Sequence, residues 1–183
     1  MATTPSLLSI DEYLHTSYKP DVDFVDGELE ERNVGESPHS RLQGFFTHIF
    51  LLNEVEWKVE PLVEQRIRID SNRVRVCDIA VVLSDAPFEE VIATPPLICI
   101  EILSPEDRIA RAELVLADYL AMGVPNIWLI DPVRRVAYIY GPTGLQPADL
   151  TNLTVPGTPI YIDLTNAIAK LDQKLSTRSP QKA

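Results

Sequence analysis

The sequence predicts an α/β fold, with one mixed central sheet flanked by helices and preceded by a helix and a hairpin. Two nearly continuous apolar runs, at 75–83 and 97–103, are typical of strands that are covered on both faces. Segments with helical spacing of their apolar residues lie before and after these runs, at 37–53 and 104–122. This order favours a layered α/β domain, and 183 residues suffice for a full hydrophobic core.

The N-terminal part of the chain predicts a short helix followed by a hairpin. Ser9 and Glu12 have the spacing of a capping box, with Ser9 as the N-cap and Glu12 at the third helical position. Asp26-Gly27 separates the segments 22–25 and 28–32, and this dipeptide is a strong hairpin signal. The helix of 37–53 is expected to follow.

The helix after the second apolar run has clear start and stop signals. Ser104 suits the N-cap and Pro105 the first helical position, and acidic residues follow them. The helix is expected to run to about Met122, where Gly123 supplies the stop.

The rest of the chain predicts further strands and one long surface segment. Additional strands are expected at 59–69, 126–130, 136–140 and 160–163. The segment 141–159 contains proline and glycine and is expected to wrap the surface. No repeat or shift in composition divides the chain, so we expect a single domain over 1–175 and a loose polar tail over 176–183.

Composition and charge exclude several classes of protein. No apolar run approaches the roughly 20 residues that span a bilayer, and the N-terminus lacks the pattern of a secretion signal, so a cytoplasmic location is expected. The net charge of −11 disfavours a general nucleic-acid coating protein, although a local basic groove or bound cations could still admit a nucleic-acid substrate. The two cysteines, Cys77 and Cys99, give no zinc-ligand spacing, and strand alternation places them on opposite faces of the sheet.

An acidic residue interrupts each of the two apolar strands. Asp78 lies in the first run and Glu101 in the second. An ionised carboxylate left alone in such surroundings is unfavourable, so it must be paired, protonated or bound to a cation. The pattern fits a divalent metal site, because hard cations prefer oxygen ligands. It fits equally well an ion pair with an arginine such as Arg66, Arg68 or Arg75, and both interpretations remain open at this point.

Several segments resemble the sequence pattern of one protein family. The resemblance lies in Val76–Val82 (VCDIAVV), Pro95–Pro105 (PPLICIEILSP), Gly123–Pro132 (GVPNIWLIDP), and Phe24–Leu29 (FVDGEL) with the following His39. On these motifs the chain is identified as a member of the bacterial restriction endonuclease domain family, within the PD-(D/E)XK nuclease superfamily. The resemblance spans nearly the whole chain in order and implies a restriction-endonuclease-like fold.

The resemblance also implies a set of site residues. Asp78 matches the first metal-binding aspartate and Glu101 the second acidic ligand, assisted by a backbone carbonyl near Ile102. The cofactor would be magnesium or manganese. Glu28 and His39 match positions that support the site in relatives, although Glu28 could equally face solvent on its hairpin and His39 could merely begin its helix.

The chain departs from the family pattern at one important residue, the lysine that orients water and stabilises negative charge. The position two residues after Glu101 is Leu103, and the alternative position on the following helix is Val115. Arg111 and Arg108 precede Val115 on the same helical face and could engage phosphate, but an arginine cannot act as a base.

The resemblance therefore implies a magnesium- or manganese-dependent endonuclease that hydrolyses phosphodiester bonds in DNA, and analogy with the superfamily implies a homodimer. The missing lysine leaves a second interpretation open. In that interpretation the protein keeps the nuclease fold with impaired cleavage, and it acts in nucleic-acid binding or subunit association.

Overall fold

The computed structural model describes residues 7–33, 36–104 and 108–176. The helices are α1 Ile10–Leu14, α2 Ser37–Leu52, α3 Glu54–Trp57, α4 Ile109–Met122 and α5 Thr165–Ser176. The strands are β1 Asp23–Val25, β2 Glu28–Glu30, β3 Val59–Arg68, β4 Arg73–Leu83, β5 Ile98–Ile102, β6 Asn126–Asp131, β7 Val136–Gly141, β8 Gly144–Ala148, β9 Leu153–Thr154 and β10 Tyr161–Ile162. Within these ranges, no helix has the length and apolar character needed to cross a bilayer.

Eight of the described strands form one mixed sheet. Their order is β2-β1-β4-β5-β6-β7-β8, and β3 pairs along β4. β5 and β6 run parallel, whereas the other neighbours in this sheet are antiparallel. β9 and β10 form a separate two-stranded sheet. The predicted mixed sheet is thus confirmed, with β4 and β5 in its central part.

Helices cover both faces of the sheet. Phe46 of α2 and Ala167 of α5 belong to the core cluster that includes Ile100, whereas Tyr119 of α4 belongs to the cluster that includes Cys99. Because adjacent residues of a strand point to opposite faces, α2 and α5 lie on one face and α4 on the other.

Local signals in the sequence account for the N-terminal elements. Ser9 and Glu12 form the reciprocal capping box that was predicted for α1. The β1–β2 turn has positive φ at both central residues, 51° at Asp26 and 91° at Gly27, as a two-residue hairpin of type I′ requires. The glycine at the end of α4, Gly123, has φ 98° and is the predicted stop signal.

Strand alternation is broken beside Asp78, and this overturns the prediction for the cysteines. Cys77 and Cys99 lie in the same core cluster, whereas Ile79 lies in the other; both cysteines are free. The register of β3 with β4 omits the pair Glu64 and Asp78, and the φ of Glu64 is 50°. Regular pairing is thus interrupted at Asp78, between Cys77 and Ile79, which face different sides of the sheet.

The predicted start of the helix at Ser104 is wrong, because α4 begins at Ile109 with Arg108 as its N-cap. Ser104 is buried directly after β5, and the amide of the preceding Leu103 still donates to the carbonyl of Ile130. Leu103, the last residue of the predicted strand, is thus paired as expected, and the error lies only in the start of the helix. The predicted first helical position, Pro105, lies outside the described residues.

The C-terminal third contains more regular structure than was predicted. The segment 141–159, expected to wrap the surface, contains β8 and β9. Pro147 lies within β8, at the end of the sheet order, where proline is tolerated because an edge strand has unpaired donor positions. The helix α5 was not predicted and continues to Ser176; the remainder of the predicted tail lies outside the described residues.

Candidate functional site

Asp78 is held by donors from three different parts of the chain. Its side chain is only 5% exposed. Nη2 of Arg32, from the segment after β2, donates to Asp78 Oδ1 at 2.8 Å. Asp78 Oδ2 lies 3.0 Å from Nε2 of His39 on α2 and accepts a hydrogen bond from the amide of Ile102 on β5, at 2.8 Å. The carboxylate is therefore fixed in position at the centre of the sheet.

Glu101 lies on the neighbouring strand and has fewer partners. The hydroxyl of Tyr119 on α4 donates to its Oε1 at 2.7 Å. Among the described residues, none donates a hydrogen bond to Oε2. Burial raises the pKa of the Glu101 carboxyl well above its ordinary value, and the negative charge of Asp78 raises it further. Glu101 is thus a partly buried acid with no basic side chain hydrogen-bonded to it among the described residues.

Asp78 and Glu101 line the same cavity, which has a volume of about 70 Å³. His39, Arg32, Arg111 and Val115 also line it. A second cavity of about 200 Å³ shares Arg32, His39 and Asp78 with the first and adds Glu64. The two carboxylates predicted from sequence therefore share a polar cavity that is bordered by basic side chains.

Arg32 bridges two of the acidic residues. Its Nη1 donates to Glu64 Oε2 at 2.6 Å, while its Nη2 binds Asp78. Burial lowers the pKa of Arg32, but the charges of Asp78, Glu101 and Glu64 outweigh this and raise it above the ordinary value. Nε2 of Gln43 donates to Glu64 Oε1 at 2.8 Å and to the Asp78 carbonyl at 3.1 Å. Arg32 is therefore a permanent cation within a hydrogen-bonded frame.

His39 is buried against Asp78 at the start of α2. Burial opposes protonation of its ring, but the hydrogen bond and the charge of Asp78 prevail, so the pKa of His39 is raised. His39 therefore contacts Asp78 directly, as its predicted supporting role requires. A residue that only begins a helix would not need this contact.

The structure brings together most of the predicted site residues. Asp78, Glu101, Ile102, His39 and Arg111 line the 70 Å³ cavity. Nη2 of Arg111 donates to the carbonyl oxygen of Glu31. Ile102 binds Asp78 through its amide, so the predicted role of its carbonyl stays a prediction.

Two predicted residues do not line this cavity. Glu28 is exposed on β2, and Arg108 is exposed at the N-cap of α4. Both of the positions at which a lysine was sought, Leu103 and Val115, do line it.

The structure also shows partners that sequence reasoning missed. Asp78 pairs with Arg32 and not with the three arginines considered beforehand, since Arg66 binds Asp21 and Arg75 binds Asp23 and Asp118. Arg32 stands at the end of a predicted hairpin strand, where arginine is common on solvated faces, so the sequence offers no signal for it. Other unpredicted contributors are Gln43, Glu64 and Tyr119.

The donor set fits a divalent cation. Among the described residues, no group of three or more His, Cys, Asp and Glu side chains is arranged to hold a metal ion. Magnesium, however, is commonly bound by one or two carboxylates that are completed by water and substrate phosphate. Asp78 and Glu101 supply two carboxylates in one cavity, and the raised pKa of Glu101 reflects burial together with excess negative charge.

Comparison with known proteins identifies the family of the chain. Residues 10–166 match the Uma2 family, described as "Putative restriction endonuclease". The chain belongs to this family, as its motifs predicted, and membership supports a nuclease role.

The fold is also that of a solved structure. A protein from Anabaena variabilis, described as "a putative nuclease belonging to DUF820", is 20% identical, with a TM-score of 0.76. The match covers 90% of this chain and 99% of the other. The predicted restriction-endonuclease-like fold is thereby confirmed. A comparison with curated proteins gives no match.

Proposed function

We propose that this protein is an endonuclease that hydrolyses phosphodiester bonds in DNA with the help of magnesium or manganese. The observation that carries the proposal is that Asp78 and Glu101, from adjacent strands, line one polar cavity in a member of a restriction endonuclease family. Each acid interrupts an apolar strand in the sequence. Both line the same cavity, where they could bind one cation together.

Asp78 and Glu101 would hold the cation, with the backbone carbonyl of Ile102 as a further ligand. When bound, such an ion lowers the pKa of a water molecule and offsets the charge of the reacting phosphate. His39 and the amide of Ile102 fix the orientation of Asp78, and Tyr119 fixes that of Glu101. These contacts reduce the reorganisation that the site needs before reaction.

Hydrolysis forms a bond between a water oxygen and phosphorus and breaks the bond from phosphorus to one ester oxygen. The water releases a proton to solvent, and the leaving ester oxygen takes up a proton. Arg111, at the cavity wall on α4, would bind the DNA backbone beside the reacting phosphate, and an arginine transfers no proton there.

Paired measurements of metal binding and cleavage test this proposal. Thermal unfolding of the wild type should shift upward on titration with Mn²⁺, because a ligand that binds only the folded state stabilises it. The isosteric variants Asp78→Asn and Glu101→Gln should lose that shift and also lose cleavage of plasmid and single-stranded DNA. The matched control Asp163→Asn changes a half-buried acid outside the cavity, at the start of α5, and should behave as the wild type. A wild type that neither responds to Mn²⁺ nor cuts DNA would refute the proposal.

A second candidate function has one specific observation in its favour. Leu103 and Val115 place apolar side chains on the cavity wall at both positions where relatives carry the lysine. A protein that keeps the fold for nucleic-acid binding or subunit association would have such a wall. Mn²⁺ binding without cleavage by the wild type, together with DNA retention in a gel-shift assay or a dimeric mass by light scattering, would favour this candidate.

A further inference from the structure

We propose that Arg32 is the catalytic cation of this site and takes the place of the missing lysine. This inference rests on the proposed nuclease function and identifies the residue that stabilises the reacting phosphate. It replaces the sequence-based expectation that Arg108 or Arg111 supplies this charge.

The first support is the composition of the cavity wall. Leu103 and Val115, the two positions at which the family pattern suggests a lysine, both line the cavity beside Asp78 and Glu101. Neither can carry charge, and the sequence contains no lysine between Lys58 and Lys170. A positive charge in this cavity must therefore come from an arginine, or from a protonated histidine.

The second support is the position of Arg32 relative to the acids. Its guanidinium contacts Asp78 Oδ1 directly, at 2.8 Å, and the charge of Glu101 helps to raise the pKa of Arg32. Its side chain is 19% exposed and lines both cavities, so it is held in place yet remains accessible to a ligand.

The other cations of the cavity are less suited to this role. Arg111 uses its guanidinium on the Glu31 carbonyl, and no described contact joins it to Asp78 or Glu101. Arg108 does not line the cavity. His39 directs Nε2 to Asp78, and that contact serves to orient the carboxylate.

The two terminal nitrogens of the Arg32 guanidinium allow this residue to bind an acid and the substrate at the same time. Nη1 and Nη2 are engaged by different carboxylates, Glu64 and Asp78. Glu64 is held from its other oxygen by Gln43 and has a side chain that is 48% exposed, so it can exchange Arg32 for solvent. Nη1 can then donate to a phosphate oxygen while Nη2 stays on Asp78, which gives a charge-assisted bond to the group that gains negative charge.

The experiment combines removal of Arg32 with introduction of a lysine at position 115. Cleavage kinetics are measured with Mn²⁺ for the wild type, Arg32→Met, Arg32→Lys, and the double variant Arg32→Met with Val115→Lys. We expect Arg32→Met to lower kcat by about 100-fold or more, as removal of one preorganised donor does. Arg32→Lys should keep more activity, and the double variant should regain at least about tenfold over Arg32→Met, since both restore a positive charge.

Calorimetric titration with Mn²⁺ gives a readout that is independent of cleavage. Arg32 is not proposed to bind the metal, so Arg32→Met should bind Mn²⁺ at least as tightly as the wild type. A control variant, Arg135→Met, removes an arginine that pairs with Asp172 away from the cavity and should leave both kinetics and Mn²⁺ binding unchanged.

The outcomes separate this inference from the proposed function. A wild type that does not cleave overturns both. Cleavage that Arg32→Met retains within a few fold overturns the inference alone, and so does a double variant that recovers nothing. Weakened Mn²⁺ binding by Arg32→Met would show that Arg32 merely holds Asp78 in place, and would also overturn it. If Arg32→Met does not fold, the test rests on Arg32→Lys, and activity of that variant below a tenth of the wild type overturns the inference.

Discussion

One strand, β4, carries two clusters of charged side chains that differ in how completely their acids are neutralised. The stabilising cluster surrounds Arg75 and consists of Arg73, Arg75, Asp23, Glu30 and Asp118. The cavity cluster surrounds Asp78 and consists of Arg32, His39, Glu64, Asp78 and Glu101. Both are built from arginines that bridge carboxylates.

The difference lies in the acids that remain without a basic partner. In the stabilising cluster, both oxygens of Asp118 accept from arginines, and those of Asp23 accept from Arg75 and the amide of Val76. In the cavity cluster, Glu101 accepts only from Tyr119 among the described residues. Acids that each have an arginine partner support folding, whereas an acid beside a cavity with no basic partner among the described residues can bind a cation from solution.

The largest effect on stability is expected from Arg75→Met. The Arg75 side chain is 4% exposed and contacts three acids, so its removal leaves Asp23 and Asp118 buried without their main partner. Breaking such a buried pair from one side typically lowers the free energy of unfolding by about 3–5 kcal/mol. Urea unfolding at neutral pH measures the change.

The matched control for that variant is Arg135→Met. Arg135 pairs with Asp172, whose side chain is 53% exposed, and solvent screens the interaction. Its removal should change the free energy of unfolding by less than about 1 kcal/mol. Equal losses in the two variants would contradict the distinction between buried and exposed pairs.

Glu101→Gln should stabilise the protein in the absence of a divalent cation, by an amount that grows with pH. Burial and then the charge of Asp78 raise the pKa of folded Glu101 above its ordinary 4.5. Stability gained from the protonated form is fully present below about pH 4.5, and it is lost as pH rises through the folded pKa. Glutamine does not ionise and avoids this loss.

Unfolding in urea with EDTA, measured from pH 4.5 upward, checks this prediction. The wild type should become progressively less stable relative to Glu101→Gln as the pH approaches neutrality, and Mn²⁺ should reverse the order near neutral pH. A stability difference that does not vary with pH would mean that nearby positive charges keep the pKa of folded Glu101 at its ordinary value.

Arg32→Met should affect stability less than Arg75→Met. Asp78 keeps His39 and the amide of Ile102 as partners, and the cavity gives water access to the freed oxygen. We expect a loss of about 1–3 kcal/mol in the free energy of unfolding, because the bonds to buried Asp78 and exposed Glu64 are lost and water can reach both freed oxygens. A loss as large as that of Arg75→Met would mean that Arg32, like Arg75, mainly stabilises the fold.

The same comparison shows what sequence can and cannot predict here. Asp78 and Glu101 were found because a charge in an apolar strand violates a strong local pattern. The partner arginine was missed because Arg32 is distant in sequence, and the three arginines that were considered lie on β3 and β4 themselves. Ion-pair choice depends on tertiary placement, which no local signal encodes.

The prediction of secondary structure was wrong where local sequence preference and tertiary contacts disagree. Ser104 has the sequence features of an N-cap, yet it is buried directly after β5, and α4 begins at Ile109 with Arg108 as its N-cap. Pro147 argued against a strand, but at the sheet edge its lack of an N–H group is tolerated. By contrast, Ser9, Gly27 and Gly123 acted locally, and the predictions based on them are confirmed.

The smallest effect is expected from Asp26→Asn, at an exposed acid that pairs with Arg73 of the stabilising cluster. Asp26 pairs with Arg73 at 2.7 Å, but its side chain is 62% exposed. Asparagine preserves the shape and also tolerates the left-handed backbone at this position, where φ is 51°. The free energy of unfolding should therefore fall by less than about 1 kcal/mol, and the difference from wild type should shrink further in high salt. Asp26→Ala should lower stability more than Asp26→Asn does, because alanine disfavours positive φ; equal losses would mean that the charge of Asp26, and not the backbone of the hairpin turn, determines its contribution.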